Sequence, residues 1–280
     1  MSFRLRWLGT ACFEILLPNG RTIVIDPYLD DAVGAPITSD QFEHCDGIFI
    51  THGHYDHVLD VGKLAARFRP RIFCNEQTRE SLIRHQGVDP SLIHPVKPGD
   101  RIREEGLTVE VVRGVHVNFE SEYKRITGQD LFDGGSDMDA LVKRATKAML
   151  GTDVLPERFR EWMDLYPQGE QLNFVFDPAG GRRIYMAGSY PDPGLIEVAE
   201  KTKAYITLLQ VLPGEGLKGL EEQTARFAIA SGCKIAVPQH HDPLIEGATL
   251  PDLTQLKESL ARESTVLFQE FVPGQWYLYE

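Results

Sequence analysis

The chain has 280 residues, enough for one large domain or two small ones around a substantial core, and its composition is ordinary for a soluble globular protein. A net charge of −12 at pH 7 with no basic run argues against a nucleic-acid partner, because a phosphate backbone is held through clustered Lys and Arg. No stretch approaches the length of a membrane span and the first residues carry no signal-peptide core, so the expected location is cytoplasmic.

Residues 3–8, 12–17 and 21–26 read as three short strands, with Asn19-Gly20 as a hairpin turn between the last two. The third ends in Asp26, at the kind of C-terminal strand edge where α/β folds build sites; capping the following turn is the other role open to it. A polar loop over 31–42 leads to the apolar, β-branched run 47–51, a buried strand. His52, His54, Asp56 and His57 follow at once. In an extended segment residues i and i+2 face the same way, so His52 and His54 lie side by side and can hold one cation from a single face. Asp56 and His57 fall beyond the bend, ahead of a helix expected over 58–68, where they can reach a second cation. A lone histidine after a strand reads as a cap or a satisfied polar residue. Three in this spacing do not, because each protonation would raise the repulsion felt by the others and packing has no use for the cluster. Imidazole with carboxylate suits one or two divalent ions, zinc or manganese, with iron sharing the same ligands.

Further along, 71–74 reads as a strand, 77–85 as a helix and 93–98 as an extended piece before a turn at Gly99-Asp100. Residues 107–115 alternate as a half-buried strand and deliver His116, a candidate third ligand for the first ion. The segment 118–171 breaks the rhythm. It opens polar, passes through Asp133-Gly134-Gly135-Ser136-Asp137, and carries helical stretches over 138–150 and 156–165. So long an excursion reads as a lid over the site, with an oligomer contact or surface elaboration as the alternatives. Strands 172–177 and 182–187 flank a hairpin at 178–181, and a strand-end loop follows over 187–192. Then come helix 192–201, strand 204–211, helix 219–231, strand 235–238 ending at Gln239-His240-His241-Asp242, helix 253–262, and a final strand pair, 266–271 with 276–279. The pattern of hairpins followed by alternating helices and strands runs twice, which two sheets packed face to face with helices outside would satisfy. Cys12, Cys45, Cys74 and Cys233 are widely spaced and read as buried free thiols.

Trp7-Leu8-Gly9-Thr10-Ala11, the strand end at Asp26, the His-X-His-X-Asp-His run over 52–57, His116 and His240 together resemble, in that order, the metallo-β-lactamase superfamily. Within it the resemblance is to the cytoplasmic metal-dependent hydrolases that include the ascorbate-6-phosphate lactonase. It covers essentially the whole chain, and the 52–57 run is its most specific part. It implies one α/β domain over 1–280, an αββα sandwich of two mixed sheets with the site at one edge between them. It implies His52, His54 and His116 on the first metal, and Asp56, His57 and His240 on the second. His240 is preferred to His241 because it follows Pro238 by two residues, as in the family's Pro-X-His. Asp26 would orient a ligand, and Asp56 would also act as a catalytic group on the attacking water.

One position departs from that pattern. The family's Gly-Asp-Thr, whose Asp bridges both metals, corresponds here to Gly188-Ser189-Tyr190, and a neutral hydroxyl cannot supply the bridge's charge. A weaker second site or more widely separated ions are therefore expected, with Asp192, Asp133 or Asp137 as substitute acids and His241 as a further neighbour. The implied activity is attack by a metal-activated hydroxide on a small anionic ester or lactone, the expected partner being that small-molecule substrate. Lys124 and Arg125 would meet the anion or form a solvated basic pair. A phosphodiesterase acting on a small metabolite or lipid head group is the alternative, and a non-catalytic ligand-binding or sensing protein is the alternative that Ser189 raises. A homo-oligomer is left open.

Overall fold

The computed structural model describes residues 2–132, 137–178 and 182–280. β1 (Phe3–Trp7), β2 (Phe13–Leu16) and β3 (Thr22–Ile25) form an antiparallel meander. β4 (Gly47–Phe49), β5 (Arg71–Cys74) and β6 (Ile93–Pro95) extend it in parallel, with α1 (Tyr55–Val58), α2 (Val61–Phe68) and α3 (Glu76–Gln86) in the crossovers. β7 (Arg101–Glu104) and β8 (Leu107–Arg113) open a second sheet, and α4 (Phe119–Thr127), α5 (Met138–Leu150) and α6 (Phe159–Leu165) precede its return. β9 (Leu172–Pro178) and β10 (Ile184–Ala187) continue antiparallel. After α7 (Ile196–Thr202) come β11 (Ile206–Gln210), α8 (Glu221–Ala230), β12 (Ile235–Gln239), α9 (Thr254–Glu263) and β13 (Leu267–Phe268), whose strands are parallel to β10. β14 (Tyr277–Tyr279) crosses back to lie antiparallel to β1. The sheets are seven-stranded, ordered β14-β1-β2-β3-β4-β5-β6 and β13-β12-β11-β10-β9-β8-β7.

The strands alternate faces, and both faces are covered. Phe13, Ile15, Ile23, Ile25, Phe49 and Phe73 of the first sheet meet Val109, Val111, Phe174, Phe176, Leu208 and Val237 of the second in the central core. Val24, Ile48 and Ile72 point the other way, onto Val58, Leu64, Leu82 and Trp162 of the helices outside the first sheet. Val175, Tyr185 and Ala236 do the same against Ala199, Phe227 and Leu260 outside the second. Strands buried on both faces must be largely apolar, which is why 23–25 and 48–50 are unbroken hydrophobic runs. The result is the expected αββα sandwich of two mixed sheets. All four cysteines are buried and free. No helix among the described residues is long and apolar enough to cross a membrane.

Several local expectations fail for identifiable reasons. The helix expected over 58–68 is two helices, because the chain turns at Asp60. Its N–H donates to Pro27 O at 3.2 Å, and its carboxylate accepts the N–H groups of Leu29 and Asp30 at 2.7 and 3.1 Å. α1 begins earlier and carries Asp56 and His57 on its first turn. α4 was not expected, since its sequence is polar, yet its end signals are present. Asn118 caps it by accepting the Ser121 N–H at 2.8 Å, acids fill the first turn, Lys124 and Arg125 fill the last, and Gly128 closes it at φ 73°. β7 escaped notice because an edge strand reading Arg-Ile-Arg-Glu lacks an apolar run. Pro193–Leu195 forms a 3₁₀ turn ahead of α7 where one helix was expected. The last two strands do not pair with each other; the chain between them passes through the central core, where Phe271 stacks on Tyr277 at 3.9 Å. β9 and β10 pair as a hairpin with Ile184 opposite Phe176, while turn residues 179–181, like 133–136, lie outside the described residues.

Candidate metal centre

The site lies where strands of both sheets end. The loop from β4 to α1 is tied down on both sides: Ile50 N–H donates to Phe73 O, Gly53 N–H donates to Gln168 O, and Thr51 O accepts the Leu172 N–H. Gly53 has to be glycine. A Cβ there would stand 2.2 Å from Pro167 O and 2.9 Å from Thr78 Oγ1. His52 and His54, on either side of it, are held near His116, which follows β8; the His116 ring centroid is 4.8 Å from that of His52 and 4.7 Å from that of His54. One donor atom from each of these three residues lies within 4.8 Å of the others.

A second triad adjoins the first. Asp56 and His57 come from α1, and His240 follows β12 in the left-handed region at φ 64°. Its N–H donates to Thr10 O at 2.8 Å; Trp7 Nε1–H donates to the same carbonyl, and the Asp242 carboxylate accepts the Thr10 N–H. The 7–11 loop is thus the clamp that holds His240 in a strained conformation. His240 Nε2 stands 3.2 Å and His57 Nε2 3.5 Å from Asp56 Oδ2, and the three residues' donor atoms again fall within 4.8 Å of one another.

Behind both triads is Asp26, fully buried and itself at φ 44°. Its carboxylate accepts the Thr51 N–H and hydroxyl, both at 2.7 Å, and His57 Nδ1–H at 2.9 Å. Since the Thr51 hydroxyl donates to Asp26, its lone pair faces His52 Nδ1 at 3.1 Å, which must then carry the proton. His116 Nδ1–H likewise donates to Val117 O at 2.8 Å. These bonds leave bare Nε2 lone pairs on His52 and His116 and fix Nε2 as the atom of His57 left for a cation, the arrangement that suits metal ligands. His52 Nε2 and His54 Nδ1 face each other at 3.2 Å, a separation that a shared cation satisfies and two lone pairs do not.

The electrostatics agree with this fit. Burial, reinforced by the neighbouring imidazoles, pushes His52 well below the usual histidine range, His54 down to about 3 and His116 to about 4, so all three are neutral donors near pH 7. Burial alone would raise the Asp56 carboxyl. The charges of His57 and His240 and the bond from His240 outweigh it and hold Asp56 well below the usual carboxylate range. Burial would likewise lower His57, but Asp56 and Asp26 reverse the direction.

The other expected residues lie elsewhere. Ser189 is buried, but its hydroxyl donates to Asn173 Oδ1 at 2.6 Å and accepts the Val115 N–H at 3.2 Å, so it serves the strand ends and belongs to neither triad. Asp192 caps the 3₁₀ turn through the Gly194 N–H, and Asp137 caps α5 through the Ala140 N–H; both are engaged as caps. Asp133 is outside the described residues. His241 stacks on Trp7 at 4.6 Å, outside both triads. Lys124 pairs with Asp130, and Arg125 binds Glu122 and the carbonyls of Gly216 and Lys218. Thr51 and Asp242 have no role in the sequence reading, and Thr10 enters it only within the 7–11 motif; a hydroxyl beside the histidine run was the signal available for Thr51. Above the triads is a cavity of about 590 Å³, walled by α4, α5 and α6 together with the loops around 188–190 and 210–213.

Comparison with known proteins adds to this geometry. The family described as Beta-lactamase superfamily domain matches residues 21–128. A UPF0173 metal-dependent hydrolase from Metallosphaera sedula is 30% identical over 180 residues, covering 64% of this chain and 72% of the relative. Igni18, a metallo hydrolase from Ignicoccus hospitalis, is similar in structure with a TM-score of 0.69 at 15% identity, over 100% of this chain and 99% of its own. The isothiocyanate hydrolase from Delia radicum gut bacteria gives a TM-score of 0.61 at 18% identity, over 98% of each chain. At such identities these two structures bear on the fold alone.

Proposed function

This chain belongs to the metallo-β-lactamase superfamily, among its metal-dependent hydrolases, and from that premise we propose that it hydrolyses an ester or lactone using two adjacent divalent ions. His52, His54 and His116 would hold one ion, and Asp56, His57 and His240 the other. The observation that carries the reading is convergence. Side chains from 52–57, 116 and 240 meet as two compact donor sets at the floor of one cavity. Zinc, manganese and iron all accept this donor set. Bound there, such ions bring a water to ionisation near neutral pH and polarise the scissile oxygen.

The chain's own residues do the rest. Asp26 and Thr51 fix the tautomers of His57 and His52. Asp56, the carboxylate of the two triads, orients the attacking water and accepts its proton. We read the 118–171 segment as the cover that keeps bulk water from the reaction, since its helices wall the cavity. An ester or lactone is favoured over a phosphodiester because the cations lining the cavity are Lys143 and Arg160, and Arg160 is paired with Asp139. The bound ions would neutralise a phosphodiester, but the rest of the substrate would meet walls of Leu, Met and Phe, which suit an uncharged acyl group better.

The test is metal analysis followed by turnover of a panel of esters, lactones and phosphodiesters after loading with zinc, manganese or iron. Activity in at least one metal, absent from the His54→Ala/His116→Ala double variant, is expected. Undiminished activity in a metal-free double variant overturns the reading. The Ser189 geometry favours a second reading, a protein that binds its ligand without chemistry; a metal-loaded protein that retains a small molecule and turns over no member of the panel would decide for it.

A further inference from the structure

The cavity above the triads has a chemistry of its own. Its walls are hydrocarbon: Phe119, Leu131, Leu141, Met149, Phe159 and Met163 line it. The apolar surface begins at the ligands themselves. The Phe119 ring lies 5.8 Å from that of His116, and the Phe159 ring 5.6 Å from that of Tyr55, next in sequence to His54. At the outer end it reaches solvent, where Phe132 and Met138 are 55% and 54% exposed although each also faces the cavity. A run of large apolar side chains from a deep chamber to an exposed rim marks a surface built to meet an apolar ligand.

The chamber has fixed walls and a polar end. Tyr123, Leu131 and Leu141 pack α4 against α5, and Met149 and Leu150 anchor the end of α5 on Ile245. The charges that line the cavity offer little to an anion: Arg160 is paired with Asp139, and Lys143 and Asp164 sit exposed. Toward the ligands the polar groups are neutral. Gln210, at the end of β11, is in register with Gln239, which directly precedes His240, and its Oε1 is buried without a partner among the described residues. Its volume of about 590 Å³ falls within the roughly 300–1,000 Å³ of pockets that enclose a ligand.

We propose that this cavity is an acyl chamber: it holds the hydrocarbon chain of an acylated substrate whose carbonyl is presented to the two triads, so that the substrate class is a fatty-acyl ester or lactone rather than a small anion. The inference rests on the hydrolase reading above for its reaction but not for its binding, and the two are separable by experiment. The protein, freed of metal with a chelator, is titrated calorimetrically with acetate, hexanoate, octanoate, decanoate and dodecanoate below their micelle concentrations. The metal-loaded protein is then assayed with the p-nitrophenyl esters of the same acids.

Binding is expected to tighten by about fourfold for each methylene added. Val142→Trp, which fills the chamber from α5, removes the gradient while metal content stays at the parent level. Phe132→Ser with Met138→Ser, at exposed positions where folding is not at stake, flattens the gradient over the longest chains only. Affinity independent of chain length overturns the chamber. Ester turnover that is metal-dependent but indifferent to chain length also overturns it, while leaving the hydrolase reading in place. A chain-length gradient in binding with no turnover in any metal supports the chamber and removes the hydrolase.

Discussion

The two triads lie side by side but are held together in opposite ways. In the first, His52, His54 and His116 turn only imidazoles toward one another: two ring nitrogens face across 3.2 Å with no carboxylate among them. In the second, Asp56 lies between two imidazoles at 3.2 and 3.5 Å, and His57 is backed by Asp26 at 2.9 Å. The first set is therefore incomplete until a cation enters, whereas the second already joins a carboxylate to two imidazoles, contacts that a cation must displace. With no carboxylate from Ser189 to draw two ions together, the first ion is expected to bind tightly and the second more weakly, in separable steps of one titration.

The largest effect tests that order directly. His54→Ala should remove the tight step and lower turnover on the order of a thousandfold or more, read by metal analysis and kcat. His57→Ala should remove the weak step and leave the tight ion in place. If both variants lose both ions together, the asymmetry between the triads is void. Next in size is Asp26→Ala. It takes the acceptor from Thr51 and His57 at once, inside a fully buried site, and should cost about 3–5 kcal/mol in urea denaturation of the metal-free protein. Because Asp26 touches His57 directly and His52 only through Thr51, the weak step should suffer more, by roughly 10- to 100-fold in affinity.

A smaller effect probes the missing bridge. Ser189→Asp restores an acid where the family carries one, but here the side chain is directed at Asn173 Oδ1, with the carboxylate forced against another acceptor in a buried pocket. The expected outcome is a loss of about 1–3 kcal/mol of stability without an additional bound ion. A gain in second-site affinity would show that the loop can re-aim the new carboxylate.

These positions also mark how far the sequence could be read. The sheets were legible because doubly covered strands are written as apolar runs and the hairpin turn between the second and third strands carries Asn19-Gly20. The 52–57 run was legible because i and i+2 share a face. What escaped was set by tertiary hydrogen bonds with no periodicity. Thr10, Asp26 and His240 adopt left-handed backbone that glycine would have announced and these residues do not. The break at Asp60 exists only because a distant loop needs its carboxylate. Ser189 could be matched to the bridging position by the family's Gly-Asp-Thr motif, but nothing in the chain revealed that Asn173 holds its hydroxyl.

Thr51 offers the finest test, since its hydroxyl serves the triads unequally. It stands 3.1 Å from His52 Nδ1 and 3.4 Å from His57 Nδ1, and His57 has Asp26 at 2.9 Å in addition. Thr51→Val keeps the shape and the backbone bond to Asp26 but leaves the His52 Nδ1–H without an acceptor, freeing the ring to turn or change tautomer. Stability should fall by about 1–3 kcal/mol, since a buried N–H is left unpaired and Asp26 loses one of its donors. Metal affinity should fall about tenfold, and at the tight step alone. This reverses the Asp26→Ala pattern, so a weak-step loss in both variants would mean that Asp26 and Thr51 act as one unit on His57 and that His52 takes its orientation from packing.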